Sequence, residues 1–334
     1  MSAGPQIGVT LYSFTEPYHA GEYTFEELIR RVGELGLGPG VEIVGFQSIR
    51  SFPAVSDSFA SRFRGLLDEA GLVPSALGAN IDVCRRRDRR MSDEETVEVL
   101  EAQIRAAKKL GFRVMRVQFG AAPDALEAAL PLAEASDVKL GMEIHAPHSV
   151  DHPTILALRE RFDRLGSPYL GFIPDFGASM ESIPPGLLAH WRGLDAARPD
   201  VIEATTEAWG RAHRGESDPF EERRRLIEEA TELGDGPGRD LAALTMNLFG
   251  HQSPAAWDEI MHQVVHVHAK FYEIGADGTE PSIRYADLMD RFRRGGFDGF
   301  LSSEWEGNLF SPNVDPFDIV GRQQQMMRRY LEGS

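Results

Sequence analysis

Four side chains of the metal-ligand type, Glu143, Asp175, His268 and Glu304, stand at the ends of apolar, strand-like segments. The segments are LGMEIH (Leu140–His145), YLGFIPD (Tyr169–Asp175), VVHVHAK (Val264–Lys270) and FLSSEWE (Phe300–Glu306). Side chains alternate along a strand, and the strands of a closed parallel barrel end at one mouth. We therefore expect three carboxylates and one imidazole to meet there around a single divalent cation.

The donor set indicates which cations suit such a site. Oxygen-rich ligation with one imidazole fits Mn²⁺, Mg²⁺, Co²⁺ or Zn²⁺, of which we expect Mn²⁺. Cys84 is the one cysteine, which excludes a zinc-thiolate site. A substrate with a carbonyl and an adjacent hydroxyl would fill the remaining coordination positions. The cation would then act as a Lewis acid during removal of the neighbouring C–H proton.

Further polar residues lie close to these ligands in the sequence. Lys270 and Glu306 fall one inward step beyond His268 and Glu304, where they would hold polar groups of a substrate or orient the ligands. Polar residues near the ends of early strands either bind substrate or cap the strands: Tyr12, Asn80 and Gln118. His266 is interpreted as a packed residue that supports the site.

Other interpretations of the four ligands stay open at this point. A carboxylate in an apolar strand can be neutralised in a buried salt bridge. His268 can be an ordinary hydrogen-bonded histidine of the core. His145, which follows Glu143 on the same face, is either a general base or a supporting residue.

Strand and helix patterns alternate along the whole chain. Eight strands are predicted, at Ile7–Phe14, Val41–Phe46, Val73–Asp82, Val114–Phe119, Lys139–His145, Tyr169–Asp175, Val264–Phe271 and Gly299–Glu306. Capping boxes predict two helix starts, at Thr24 with Glu27 and at Ser92 with Glu95. Eight such units predict an α/β protein with a (β/α)8 TIM-barrel fold. No G-x-G-x-x-G connects a strand to a helix, which argues against a Rossmann fold.

The spacing between strands six and seven is unusually long. We predict a single domain over residues 1–334 with an enlarged helical insertion at 177–263. Its helical patterns cover Pro185–Leu194, Pro219–Leu233, Asp240–Phe249 and Ser253–His262. The insertion either packs over one side of the barrel mouth or forms a lid or a docking surface for a partner.

Charge and hydropathy exclude several classes of partner. The formal net charge of −17 argues against nucleic acid, which is bound by clustered Lys and Arg. The basic run at Arg85–Arg87 and Arg89–Arg90 is interpreted as a solvated loop. No apolar stretch approaches the 18 residues of a membrane span, and the N-terminus lacks a signal pattern. We therefore expect a cytoplasmic protein without a membrane partner.

The order Glu, Asp, His, Glu at the ends of strands five to eight resembles the xylose isomerase-like barrel superfamily. The matching sequence segments are GMEIHAPHS, IPDFG, VHVHAKF and FLSSEWEG, and the resemblance covers nearly the whole chain. That group contains sugar isomerases, epimerases, inosose dehydratases and the endonuclease IV branch. The three-zinc site of the endonuclease branch needs histidines on early strands, but none occurs between His19 and His145.

Within the superfamily the chain is most similar to the catalytic α subunit of bacterial C-glycoside deglycosidases. The resemblance is carried by EIHAPHS, SEWEG and the long segment before strand seven. It implies a metal-dependent lyase that pairs with a small β subunit in a hetero-oligomer. Such an enzyme cleaves the carbon–carbon bond between a 3-keto sugar and its aglycone. Phe14, Phe46 and Phe119 are candidates for lining an aglycone pocket.

The resemblance also frames the competing mechanisms. In the deglycosidase type, His145 removes the proton at sugar C2 and the aglycone leaves from C1. In the epimerase type, the metal-bound carboxylates Glu143 and Glu304 exchange the proton across the substrate. The alternatives are thus a sugar isomerase, epimerase or inosose dehydratase, and, in another class, a non-catalytic sugar-binding barrel.

Overall fold

Eight parallel strands form a barrel in the computed structural model, which describes residues 4–118, 122–194 and 196–332. The strands are β1 (Gln6–Thr10), β2 (Gly40–Val44), β3 (Val73–Ala79), β4 (Val114–Val117), β5 (Lys139–Ile144), β6 (Leu170–Pro174), β7 (Val267–Phe271) and β8 (Phe300–Trp305). Their order in the sheet is β6-β5-β4-β3-β2-β1-β8-β7. The predicted α/β barrel is therefore confirmed.

The barrel closes between β6 and β7 through two isolated parallel bridges, Phe172 to Val264 and Asp175 to His268. Gly171 is needed at this closure, because a Cβ there would lie 2.3 Å from the carbonyl oxygen of Gln263. The second bridge joins two of the predicted metal ligands. Closure of the barrel and assembly of the site thus occur at the same place.

Thirteen α-helices lie in the described part of the chain. They are α1 (Thr15–His19), α2 (Phe25–Glu34), α3 (Gly45–Ser48), α4 (Asp57–Glu69), α5 (Asp93–Leu110), α6 (Pro123–Ser136), α7 (Pro153–Leu165), α8 (Pro185–Leu194), α9 (Pro199–His213), α10 (Pro219–Glu232), α11 (Gly236–Leu248), α12 (Tyr285–Arg294) and α13 (Pro316–Glu332). The described residues also form four 3-10 helices: Leu11–Phe14, Phe176–Ala178, Pro254–Gln263 and Gly307–Leu309. Both predicted capping boxes are present, at the starts of α2 and α5.

The first three strands are shorter than the sequence pattern predicts, and β3 ends at Ala79 where the pattern extends to Asp82. β1 ends at Thr10, whose side chain accepts a hydrogen bond from the Tyr12 amide and begins a 3-10 helix. β2 ends at Val44, and the chain turns into the short helix α3. Leu11 and Phe14 beyond β1 pack in the core without a strand neighbour, and Phe46 beyond β2 is exposed, so the strand pattern was extended too far. Phe119, the predicted end of strand four, lies outside the described residues.

The segment between β6 and β7 is mostly helical. It contains α8 to α11 and the 3-10 helix Pro254–Gln263, for which the sequence had predicted an ordinary helical pattern. α9 was not predicted, although its buried side chains recur at helical spacing. Trp209 of α9 donates its indole N–H to the Phe249 carbonyl, 2.9 Å away, which ties α9 to the end of α11. The assignment of this segment as an insertion within one domain stays a prediction.

Among the described helices, none combines the length and apolar character that crossing a bilayer requires. The cytoplasmic location stays a prediction.

Candidate metal centre and the cavity above it

The four predicted ligands converge at the carboxyl ends of β5 to β8. Glu143, Asp175, His268 and Glu304 each offer one ligand atom, and these atoms all lie within 4.8 Å of one another. All four residues are buried. The alternation of side chains along parallel strands brings them together, because Glu143 on β5, His268 on β7 and Glu304 on β8 all point into the barrel. Asp175 directly follows β6.

His268 lies at the centre of the hydrogen bonding in this cluster. Its Nδ1 is 2.7 Å from Glu143 Oε1 and 3.5 Å from Glu304 Oε2. Its Nε2 points the opposite way, to Glu42 Oε1 at 3.0 Å. Nδ1 is therefore the ring nitrogen that faces the other predicted ligands.

Two buried cations also contact the cluster. Arg116 Nη1 lies 3.2 Å from Glu143 Oε2. Lys270 Nζ lies 2.7 Å from Asp175 Oδ2, 3.5 Å from Glu304 Oε2 and 3.2 Å from Glu306 Oε1. The buried salt bridges considered from the sequence are thus present, but they accompany the cluster and do not disperse it.

The charge balance shows that a dication fits this arrangement. Five buried carboxylates face two permanent cations, so the carboxylates are in excess: Glu42, Glu143, Asp175, Glu304 and Glu306 against Arg116 and Lys270. Asp175 Oδ2 and Glu304 Oε2 accept no hydrogen bond of suitable geometry from any residue that the structure describes, although Lys270 lies within ion-pair range. Uncompensated buried charge is costly, and a divalent cation would relieve it. The cluster can therefore hold a metal ion.

The environments of Glu143 and Glu304 differ in their effect on protonation. Burial alone would raise the pKa of Glu143, but Arg116 and His268 outweigh it and hold this pKa well below its usual range. Burial raises the pKa of Glu304 to about 7 despite the nearby Lys270 and His268. Burial would lower the pKa of Lys270, but Asp175, Glu304 and Glu306 raise it well above the ordinary value, so its ammonium stays charged.

Glu42 of β2 and Arg116 of β4 were missed by the sequence analysis. Each is a charged residue inside an apolar strand, in GVEIV and VMRV, and that pattern was the available signal. The exposed fraction is 1% for Glu42 and 6% for Arg116. Neither strand ends in a residue of the metal-ligand type, so the sequence analysis did not connect Glu42 and Arg116 with the four predicted ligands.

A cavity of about 150 Å³ opens directly above the cluster. Its lining includes Glu143, Glu304, His145 and all five residues that were predicted to bind substrate: Tyr12, Asn80, Gln118, Lys270 and Glu306. Asn80 Oδ1 and Glu306 Oε2 are buried and have no hydrogen-bond partner among the described residues. Burial, followed by Glu306 and Glu304, raises the pKa of Tyr12 to about 12, which keeps its hydroxyl protonated. The cavity thus offers both donors and acceptors to a polyhydroxylated ligand.

His145 follows β5 and reaches this cavity with 29% of its side chain exposed. Its Nδ1 lies within hydrogen-bond distance of the Ala146 carbonyl oxygen. Because a carbonyl only accepts, Nδ1 carries the proton and a neutral ring keeps its lone pair on Nε2. Nε2 lies 3.6 Å from Asp175 Oδ2. Nε2 of His145 is therefore placed to accept a proton beside the four predicted ligands.

The three aromatic candidates have different positions. Phe14 is fully buried and stacks on Phe317 at a centroid distance of 4.5 Å, so it belongs to the core and does not line a pocket. Phe46 lines the cavity and is 51% exposed. Phe119 lies outside the described residues. His266 is buried, and its Nε2 is 3.0 Å from Glu42 Oε2.

Comparison with known proteins identifies relatives of the chain. The family model described as xylose isomerase-like TIM barrel matches residues 29–330. The 3'-dehydrocarminate deglycosidase alpha subunit of a Microbacterium species is 46% identical over 97% of this chain and 95% of its own length. The C-glycoside deglycosidase alpha subunit of Microbacterium trichothecenolyticum is 39% identical over 99% of this chain and 91% of its own length.

Solved structures support the fold. The apo form of 3-keto-D-glucoside 4-epimerase from E. coli superposes with a TM-score of 0.56, at 13% identity over 97% of this chain and 99% of that one. At this level of identity the likeness concerns the barrel alone.

Proposed function

The chain belongs to the xylose isomerase-like TIM-barrel family and, within it, to the C-glycoside deglycosidase alpha subunits, and from this premise we propose that it is a metal-dependent carbon–carbon lyase. It removes the proton at C2 of a 3-keto C-glycoside and releases the aglycone from C1. The observation that carries this proposal is the convergence of four ligand-type residues next to His145, which lines the same cavity as Glu143 and Glu304.

Glu143, Asp175, His268 and Glu304 would hold the cation, for which Mn²⁺ is the first candidate and Mg²⁺, Co²⁺ and Zn²⁺ are alternatives. When bound, the cation acts as a Lewis acid toward the C3 carbonyl and makes the C2 proton more acidic.

His145 is the proposed base. The proton leaves C2 for Nε2, and the electron pair of that bond ends in a new C1–C2 double bond as the C1–aglycone bond breaks. The aglycone carbon takes up a proton from solvent, and the imidazolium of His145 later returns its proton to solvent, so atoms and charge balance. The bond between Nδ1–H and the Ala146 carbonyl supports this role, because it orients the ring and leaves Nε2 as the accepting atom.

Glu143 is poorly suited to act as the base. Both of its oxygens are engaged, one by Arg116 and the other by His268. Its pKa is held well below the usual range, since the effects of Arg116 and His268 exceed that of burial. These contacts favour a ligand role, and they argue for His145 over an exchange between two carboxylates.

Lys270, Glu306, Tyr12, Asn80 and Gln118 are the proposed contacts of the sugar hydroxyls. Charged donors and acceptors at the bottom of the cavity, such as Lys270 and Glu306, form stronger hydrogen bonds than neutral groups do. The unsatisfied Asn80 Oδ1 and Glu306 Oε2 support this assignment, because a buried acceptor without a partner is costly.

A small partner subunit is part of the proposal, because the relatives are named alpha subunits. The segment between β6 and β7 is the proposed docking surface. Three large apolar side chains of this segment, Leu194, Phe220 and Leu233, are exposed by 55%, 43% and 51%. A partner that covers them would remove apolar surface from water.

A sugar epimerase or isomerase is the second candidate. It is favoured by one observation, that the two carboxylates which would exchange the proton, Glu143 and Glu304, both line the cavity.

Parallel incubation with 3-keto C-glucosides and free ketoses separates the two functions. The complex of this chain with its partner should consume the C-glucoside and release the aglycone, lose activity on chelation and regain it with Mn²⁺. His145→Ala should lower kcat by about 10²- to 10⁴-fold with metal content unchanged. His148→Ala is the matched control, because His148 lies in the same loop but does not line this cavity.

Ketose conversion without aglycone release would establish the epimerase. A fully active His145→Ala variant would remove His145 as the base, and activity indifferent to chelation would remove the metal.

A further inference from the structure

The carboxylate of Glu42 lies between the imidazoles of His266 and His268, next to the four predicted ligands. Its Oε1 lies 3.0 Å from His268 Nε2, and its Oε2 lies 3.0 Å from His266 Nε2. All three side chains are 1% exposed. Glu42 lies on β2, His268 lies on β7 and His266 directly precedes β7, and β1 and β8 separate these two strands in the sheet order.

The bond from Glu42 decides which nitrogen of His268 faces the other ligands. A carboxylate only accepts, so both nitrogens of His268 donate in the metal-free protein, Nε2 to Glu42 and Nδ1 to Glu143. When a cation replaces the proton on Nδ1, the bond to Glu42 keeps the other proton on Nε2. Nδ1 is the nitrogen that lies 2.7 Å from Glu143 Oε1. Without this acceptor the ring could rotate or exchange tautomers.

We propose that Glu42 is a positioning residue of the metal centre, which fixes the ring orientation and the tautomer of His268 while His266 anchors the carboxylate. The inference rests on the proposed metal-dependent function. A carboxylate behind a ligating imidazole also increases the basicity of the ligand, and loss of such a partner typically costs about 10- to 100-fold in metal affinity.

Glu42, His266 and His268 could also be considered a second metal site, because their ligand atoms lie close together. The geometry argues for hydrogen bonding instead. Both contacts are 3.0 Å, which is the ordinary length of an N–H···O bond. Each carboxylate oxygen faces a different ring, so the oxygens point at the two imidazoles and not at a common centre.

Manganese titration tests the proposal without relying on activity. Metal-free wild type, Glu42→Gln and His266→Asn are titrated with Mn²⁺, and free Mn²⁺ is followed by electron paramagnetic resonance. We expect one Mn²⁺ per chain in the wild type, an affinity about 10- to 100-fold lower in Glu42→Gln, and a smaller loss in His266→Asn. The visible spectrum of the Co²⁺-loaded protein should also change in Glu42→Gln, because the imidazole ligand is reoriented.

Glu280→Gln is the matched control. Glu280 is similarly buried, at 5% exposed, but its oxygens accept from Ser282 and the Ile283 amide. Its replacement should leave Mn²⁺ affinity unchanged, which separates a local effect on the site from the general effect of removing a buried carboxylate.

Wild-type affinity and an unchanged Co²⁺ spectrum in folded Glu42→Gln would overturn the proposal. If Glu42→Gln does not fold, unchanged affinity in His266→Asn overturns it instead. Two Mn²⁺ per wild-type chain, with one lost in Glu42→Gln, would make Glu42 a ligand and also overturn it. A wild type that binds no divalent cation would refute the metal-dependent function itself, so the two failures are distinguishable.

Discussion

Replacement of Lys270 by methionine tests the electrostatics of the site most directly. Lys270 is 1% exposed, and its ammonium contacts Asp175, Glu304 and Glu306 at 2.7, 3.5 and 3.2 Å. Methionine keeps most of the volume and removes the charge. Three buried carboxylates then lose their common cation.

The magnitude follows from the burial of the pair. Removing one partner of a buried ion pair costs about 3–5 kcal/mol. The unfolding entropy of a 334-residue chain is about 0.7 kcal/mol per kelvin. We therefore expect Tm of the metal-free Lys270→Met variant to fall by about 4–7 °C.

The response to Mn²⁺ has the opposite sign. The Lys270 ammonium repels a dication in the adjacent cluster, so its loss should tighten Mn²⁺ binding, by about 5- to 150-fold for a coupling of about 1–3 kcal/mol. Each tenfold gain adds about 1.4 kcal/mol at a fixed excess of Mn²⁺, or roughly 2 °C in Tm. The variant should thus gain more from Mn²⁺ than the wild type while losing activity, because Lys270 is a proposed contact of the sugar.

Differential scanning calorimetry with and without Mn²⁺ measures both effects. Lys109→Met is the control, because Lys109 Nζ also lies 2.7 Å from a carboxylate, that of Asp57, but at the surface with the two side chains 36% and 96% exposed. An exposed pair contributes about 0–1 kcal/mol, so its Tm should fall by less than about 2 °C. Equal Mn²⁺ responses in Lys270→Met and the wild type would refute the coupling between the ammonium and the metal centre.

Two further predictions concern other parts of the chain. Phe46→Ala should raise KM for a C-glycoside by about 2- to 12-fold with a smaller change in kcat, because the exposed ring at the cavity would contact the aglycone. An unchanged KM would remove Phe46 from the aglycone site. The control is Leu35→Ala, which removes an apolar side chain that is 40% exposed. Burial raises the pKa of Glu280 to about 7 from an ordinary 4.5, so the folded protein binds this proton more tightly and loses stability as pH rises between these values. At pH 8 the free energy of unfolding of Glu280→Gln, measured by urea denaturation, should therefore exceed that of the wild type by on the order of 3 kcal/mol, with little difference near pH 4. Equal differences at both pH values would contradict this.

The positions of the four predicted ligands could be derived from the sequence because the patterns that indicate them span only a few residues. Each follows from a short apolar run and the two-residue alternation of a strand, so Glu143 and Glu304 could be placed on the inner face without knowing their partners. The helix starts at Thr24 and Ser92 were predictable for the same reason, since a capping box spans only three residues.

Other features depended on contacts between distant parts of the chain. Glu42 meets His268 across 226 positions, and no local pattern connects a carboxylate on β2 with an imidazole on β7. Arg116 meets Glu143 across 27 positions. The sequence also overextended the first three strands, because apolar residues without a strand neighbour follow the same pattern as those in a sheet.

The sequence by itself thus determined the barrel class and the identity of the groups at its mouth, because both are written in periodicities of a few residues. Only the tertiary structure decided how those groups are charged and oriented. Closure of the barrel sets the distances among Glu42, Arg116, Lys270 and the four ligands, and electrostatic energies in a buried site depend on those distances. Which ring nitrogen of His268 faces the cation site therefore depends on the closed barrel and not on any one strand.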